Sequence, residues 1–292
     1  MAHDTVQDWE FTDDRDQLVR APHRPARLVA YVPTAAALHD HGIRLSGLFG
    51  SAHDDPAVPD PAKSGSLPLA DLPYFGAGSA LDLEALLAAE PDLVIALTYG
   101  GGQVYGIDPE AAKHLEERVP VAVLDVGRGR SLAGIRDRLT TLAHSLGATE
   151  QPEAEAELAA AERRLTDAAG QPVRPRVLAL SPAGSDSVHL ARPYAWPDLA
   201  ALAGLGVGVV DPAPGQGANW STTTWAEAAA LEPDLVLTDV RRNAADLGEA
   251  LGGGIRALPW NPELPPSAQE HARFFTALAE ALKDVRPGCA ER

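Results

Sequence analysis

Residues 84–100, EALLAAEPDLVIALTYG, change hydrophobic period at a single proline. Up to Glu90 the alanines and leucines recur at helical spacing. After Pro91 the run DLVIAL is continuously apolar, the pattern of a strand covered on both faces. Residues 227–241, EAAALEPDLVLTDVR, repeat the same order of helix, Glu-Pro-Asp and buried strand. Further short apolar runs, RLVAYV at 27–32, VAVLDV at 121–126, RVLAL at 176–180 and VGVV at 207–210, alternate with helical stretches. That alternation predicts parallel strands with crossover helices in each half of the chain, an α/β fold of two similar lobes.

Between the halves, TEQPEAEAELAAAERRLTDAAGQ (149–171) is dense in strong helix formers, with Pro152 near its start and Gly170 at its end. It predicts one helix of about 18 residues, or about 27 Å. The expected organisation is therefore an N-terminal lobe over 1–147, a linking helix over 148–171 and a C-terminal lobe over 172–292. SAQEHARFFTALAEALKD (267–284) predicts a further amphipathic helix on the second lobe.

Aligning the repeats on Pro91 and Pro233 pairs Asp92 with Asp234 and Asp82 with Thr224. Asp82 and Thr224 are N-cap residue types. Thr224 with Glu227 forms a capping box, and Glu84 falls in the first turn, where the helix dipole favours a carboxylate.

These repeats, together with FTDDRDQLV and RPARLVAYVPTAAALHDHGI near the N-terminus, resemble the class III periplasmic binding proteins of ABC importers, the class for iron-siderophores and cobalamin. The resemblance runs from about residue 9 to about 283. It implies two lobes with parallel sheets joined by one long interlobe helix, and a small-molecule ligand held in the cleft between them. The favoured ligand is a ferric siderophore or similar metal chelate. It also implies an ABC permease as partner, docked through one surface glutamate on each lobe. Glu84 occupies that position in the first lobe, but in the second the position is Ala226, and Glu227 lies one residue further on. One residue is about 100° of helix rotation, so Glu227 is a doubtful docking residue.

Open α/β sheets place ligands outside the carboxyl ends of their strands. There the sequence offers Tyr99, Tyr105 beyond three consecutive glycines, and Arg241, which corresponds to Tyr99 in the repeat alignment. The stretch SVHLARPYAW adds His189, Arg192, Tyr194 and Trp196, and the polar loop GANWS adds Trp220. Aromatic faces and guanidinium forks suit a large ligand rich in oxygen donors or negative charge, and Arg241 is expected to meet an anionic chelate. Trp225, in a helical first turn, is expected in the core.

Composition narrows the alternatives. A formal charge of −17 over 292 residues opposes nucleic acid or an anionic membrane surface as partner. No apolar run approaches the ~20 residues that span a bilayer, so no direct membrane insertion is expected. Cys289 is the single cysteine, and no zinc-ligand spacing, dinucleotide fingerprint or nucleophile elbow is present. No metal site, cofactor or catalytic residue is expected, and the chain reads as a monomeric binding protein. An enzyme on the same lobes, modifying or releasing the bound molecule, is the alternative. The N-terminus MAHDTVQDWE has neither an export signal nor a lipid-accepting cysteine. As it stands it predicts a cytoplasmic protein, or an extracytoplasmic one if an export signal has been removed.

Overall fold

The computed structural model describes residues 8–213, 217–247 and 255–285. It divides into two compact units, Met1–Gln151 with Pro265–Ser267, and Pro152–Leu264 with Ala268–Arg292.

The first unit holds β1 (Trp9–Thr12), β2 (Leu18–Ala21), β3 (Leu28–Tyr31), α1 (Val32–Asp40), β4 (Gly47–Gly50), β5 (Tyr74–Ala77), α2 (Leu83–Ala88), β6 (Leu93–Thr98), α3 (Pro109–Glu116), β7 (Val121–Asp125) and α4 (Leu132–Ser145). Its main sheet runs β5-β4-β3-β6-β7, every pair parallel. β3 and β6 are buried along their whole length, as their uninterrupted apolar runs require. The stretch FTDDRDQLV forms the antiparallel β1–β2 hairpin, whose turn covers the edge strand β7. Buried Asp13 accepts from the backbone N–H of Val123, and Asp14 accepts from that of Asp125 and donates its own N–H to the Val123 carbonyl. An exposed strand edge is thereby closed to other chains.

The second unit holds α5 (Pro152–Ala169), β8 (Arg176–Pro182), β9 (Val188–Ala191), α6 (Pro197–Gly204), β10 (Gly208–Val209), β11 (Trp220–Thr223), α7 (Trp225–Ala229), β12 (Leu235–Asp239), β13 (Arg256–Trp260) and α8 (Ala268–Asp284). The helix between the halves has the expected 18 residues. Its contacts group it with this unit, where it lies along α8. Gln171, just past its end, donates to the carbonyls of Ala168 and Leu282, so the two helices finish side by side.

The second sheet departs from the all-parallel expectation. β10, β8, β12 and β13 are parallel, but β9 returns antiparallel along the end of β8, and β11 pairs antiparallel with β9. The stretch between Ser187 and Arg192 carries the alternation of a half-buried strand, and its turn residues (Gly184, Asp186) allow a direct return rather than a helical crossover.

The repeated Glu-Pro-Asp has a repeated structure. Glu90 and Glu232 both stand at positive φ, 47° and 46°. The following aspartate turns back on the neighbouring strand: Asp92 N–H donates to the Arg27 carbonyl while its carboxylate accepts from the N–H groups of Ala26 and Arg27. Asp234 does the same to Arg176, at 2.9 and 2.7 Å. Each latch sets β6 level with β3, and β12 level with β8. Among the described residues no helix is long and apolar enough to cross a membrane.

Candidate functional site

In the first unit β6 ends at Thr98, whose hydroxyl donates to the Gly100 carbonyl at 3.0 Å. Gly100, Gly101 and Gly102 all have φ between 72° and 103°, a run that side-chain-bearing residues would resist. The chain then returns, and the Tyr105 N–H donates to the Leu97 carbonyl at 2.8 Å. The loop after β7 approaches so closely that a Cβ on Gly127 would lie 2.4 Å from the carbonyl carbon of Tyr99. Tyr99 and Tyr105 are thereby brought together edge to face, with centroids 4.6 Å apart.

Tyr105 in turn meets Tyr31 edge-on at 5.9 Å, at the end of β3. Tyr31 accepts a hydrogen bond from the Lys63 ammonium at 3.3 Å. Lys63 is 1 % exposed and pairs with Asp54 at 2.6 Å. Asp54 also accepts from the N–H and hydroxyl of Ser51. Three tyrosines therefore run from the surface to a buried ion pair. A cavity of about 460 Å³ opens beside the outer two, walled by Gln103, Arg15, Lys113 and Glu116 among others. Arg15 is tied to Asp13 and Glu116, so its charge is already compensated.

In the second unit His189 lies in strand β9, and Trp220 lies in strand β11, where a polar loop was expected. His189 faces Thr222 across the pair, with Nδ1 2.8 Å from the hydroxyl. Trp220 is half-buried within a group of three tryptophans. Its ring centroid is 5.0 Å from Trp196 and 6.0 Å from Trp260, and those two are 5.9 Å apart. Trp196 donates to the carbonyl of Asn219, next to Trp220, and Trp260 donates to buried Asp198 at 2.6 Å. Burial pushes the Asp198 carboxyl up to about 6, against the opposing hydrogen bonds from Trp260 and backbone N–H groups. Arg192 precedes a short 3-10 turn over Pro193–Ala195, its N–H bound to Asn219, and Tyr194 on that turn is 73 % exposed. Trp225 is buried in the core, with its indole N–H on the Gly184 carbonyl.

Arg241 differs from its expected state. It is 8 % exposed, and its fork is engaged from within: Nε and Nη2 donate to Asp239, and Nη1 donates to Glu263 at 3.0 Å. Burial works against this charge, but the hydrogen bonds and charges of Asp239 and Glu263 hold its pKa above the ordinary arginine value. Asp239 also accepts from Ser181 of β8, so the group ties the ends of β8, β12 and the segment after β13. With two carboxylates and one guanidinium, the charge expected to meet an anionic chelate is engaged within the unit.

Of the two docking candidates, Glu84 is exposed in the first turn of α2 behind the Asp82 cap. Glu227 completes the capping box, its carboxylate accepting from Thr224 N–H at 3.2 Å and from the hydroxyls of Thr223 and Thr224. Those bonds lower its pKa. Lys63, Asp54, Asp198 and Glu263 were not legible in the sequence because they lie in turns or at a helix start, where solvent exposure is the ordinary expectation, and Asp239 because it ends an otherwise apolar strand. Among the described residues no group of three or more His, Cys, Asp or Glu is arranged to hold a metal ion.

Two α/β units, each with aromatic side chains gathered at strand ends, define a ligand-binding protein of the two-unit kind. The chain belongs to the periplasmic binding protein family: the family profile, described as "Periplasmic binding protein", matches residues 45–255. Members of this family bind small ligands and work with ABC permeases. Among solved structures, a ferric-siderophore receptor protein from Streptomyces coelicolor, DesE, is 25% identical, with 95% of this chain and 99% of that chain covered and a TM-score of 0.85. The siderophore periplasmic binding protein from the fuscachelin gene cluster of Thermobifida fusca is 18% identical over 97% and 99%, with a TM-score of 0.61. A periplasmic heme binding protein from Pseudomonas aeruginosa is 20% identical over 90% and 95%, with a TM-score of 0.64. The last two carry the fold alone. No curated protein matches the sequence.

Proposed function

We propose that this protein binds a ferric siderophore or a chemically similar metal chelate and delivers it to an ABC importer. The observation that carries the reading is the likeness to the Streptomyces coelicolor ferric-siderophore receptor over nearly the full length of both chains. The strand-end aromatics supply the chemistry. A ferric chelate brings its own iron ligands and asks the protein for apolar and aromatic surface with a few hydrogen-bond donors. Tyr99 and Tyr105 beside the first unit's cavity, and Trp220 with His189, Arg192 and Tyr194 in the second unit, are the proposed contacts. Arg241 contributes chiefly by holding strand ends.

The family setting favours action outside the cytoplasm, with Glu84 as the docking carboxylate available for a permease. The test is a fluorescence titration of the protein with a ferric trihydroxamate, a ferric tricatecholate and haemin, followed by mass spectrometry of the recovered ligand. Saturable binding of a ferric siderophore, recovered unchanged, is expected. Binding of haemin alone would replace the ligand class, and recovery of an altered chelate would make the protein an enzyme. Fractionation of the source cells tests location: recovery only in the cytosol would remove the importer role.

A further inference from the structure

We propose that Asp198 is a positioning residue for the second unit's tryptophan group, holding Trp260 and through it Trp196 and Trp220, and that its ionisation makes ligand binding pH-dependent. The proposal rests on the reading of Trp220 as a ligand contact.

The geometry is a closed circuit. Trp196 caps α6, and Asp198 follows two residues later in its first turn. The Asp198 carboxylate accepts from the Trp260 indole at 2.6 Å. Trp260, 1 % exposed, packs edge-on against both Trp196 and Trp220. Asn219, the neighbour of Trp220, accepts from the Trp196 indole at 3.1 Å and closes the loop. A buried indole N–H requires an acceptor, but a neutral amide would serve. The chain instead buries a carboxylate, against its solvation preference.

No cation offsets that charge among the described residues of the surrounding elements. α6 contains no other charged residue, and neither β10 nor β11 contains one. Arg192 precedes the turn before α6, and exposed Tyr194 lies on that turn. On β13, Arg256 lies at the opposite end and pairs with Asp284. Burial accordingly raises the Asp198 carboxyl to about 6, while bonds from Trp260 and the N–H groups of Leu199 and Asp198 pull it down. Above that pH the Trp260 bond is charge-assisted and short. Below it the acceptor is neutral and the hold on the ring weakens.

The other titratable groups beside the tryptophans are His189, with its ring 6.3 Å from Trp220, and Asp239 of the adjoining strand β12, in register with Trp260 and tied with Glu263 to Arg241. The experiment therefore follows the tryptophan fluorescence of unliganded protein from pH 8 to 4.5 in the His189→Gln background. A one-proton transition near pH 6, present in H189Q and absent from H189Q/D198N, is expected. Trp260→Phe, which removes the donor and leaves the carboxyl, should abolish most of its amplitude, and it serves if the Asp198 variant does not fold. Affinity for a ferric trihydroxamate should fall about five-fold more between pH 7.5 and 5 in the parent protein than in D198N, from loss of one charge-assisted bond. Superimposable fluorescence profiles with and without D198N, or the same pH dependence of affinity in the parent protein and D198N, would overturn the proposal. If the transition behaves as expected but no chelate binds any variant, the ligand reading fails and the hold of Asp198 on the ring group stands.

Discussion

Replacing Arg241 by Ala separates an arginine that greets a ligand from one that holds the fold. In the structure the guanidinium serves two carboxylates whose side chains are 0% and 2% exposed. Removing it strands both in the interior, a change that costs about 3–5 kcal/mol when one partner of a buried ion pair is lost. With a urea dependence of about 2 kcal/mol per M, the midpoint should fall by about 1.5–2.5 M. An arginine serving only a ligand would cost within about 0.5 kcal/mol. The assay suits the question, because Trp196, Trp220, Trp225 and Trp260, four of the five tryptophans, lie in the unit that contains Arg241. Arg241→Lys keeps the charge without the fork and should fall between Ala and the parent protein. A stability for Arg241→Ala within about 0.5 kcal/mol of the parent, accompanied by lost affinity for every chelate, would refute the structural role and restore the sequence-based one.

Lys63→Met, which strands Asp54 beneath Tyr31, should likewise destabilise the first unit by about 3–5 kcal/mol, read from tyrosine and Trp9 signals in urea. It should also disturb Tyr105 and weaken chelate binding, and an unchanged midpoint would show the ion pair to be dispensable. Glu227→Gln should leave ligand affinity intact and lower the melting temperature slightly near neutral pH. Since the bonds from Thr223 and Thr224 depress the Glu227 pKa, that carboxylate stabilises the fold above its unfolded pKa and ceases to do so as pH falls through the folded value. The difference between parent and variant should therefore shrink in acid, and a difference that grew there would refute the cap role.

The α/β build, the long helix and the capping box were legible because each is written locally, in hydrophobic period, proline and glycine placement, and a Thr-x-x-Glu spacing. The β9–β11 pair was not. His189 and Trp220 alternate with neighbours over only four residues each, too few to distinguish a short strand from a polar loop. Around the candidate site, Tyr99 and Tyr105 could be found from the end of a strand and a glycine run. The carboxylates that neutralise Arg241 could not, since Asp239 sits inside an apolar strand and Glu263 more than twenty residues away. Their meeting is fixed by sheet order, which no spacing in the chain encodes.

The paired Glu-Pro-Asp latches have a consequence at the far end of the strands they start. Each fixes two neighbouring strands flush at one rim, Leu28 against Leu93 and Val177 against Leu235. Any residue gained or lost along those strands must then surface at the opposite rim, where the loops bearing Tyr99, Tyr105 and Arg241 begin. One rim acts as a datum and the other as the adjustable edge, so loop length there can drift while the sheet beneath keeps its alignment.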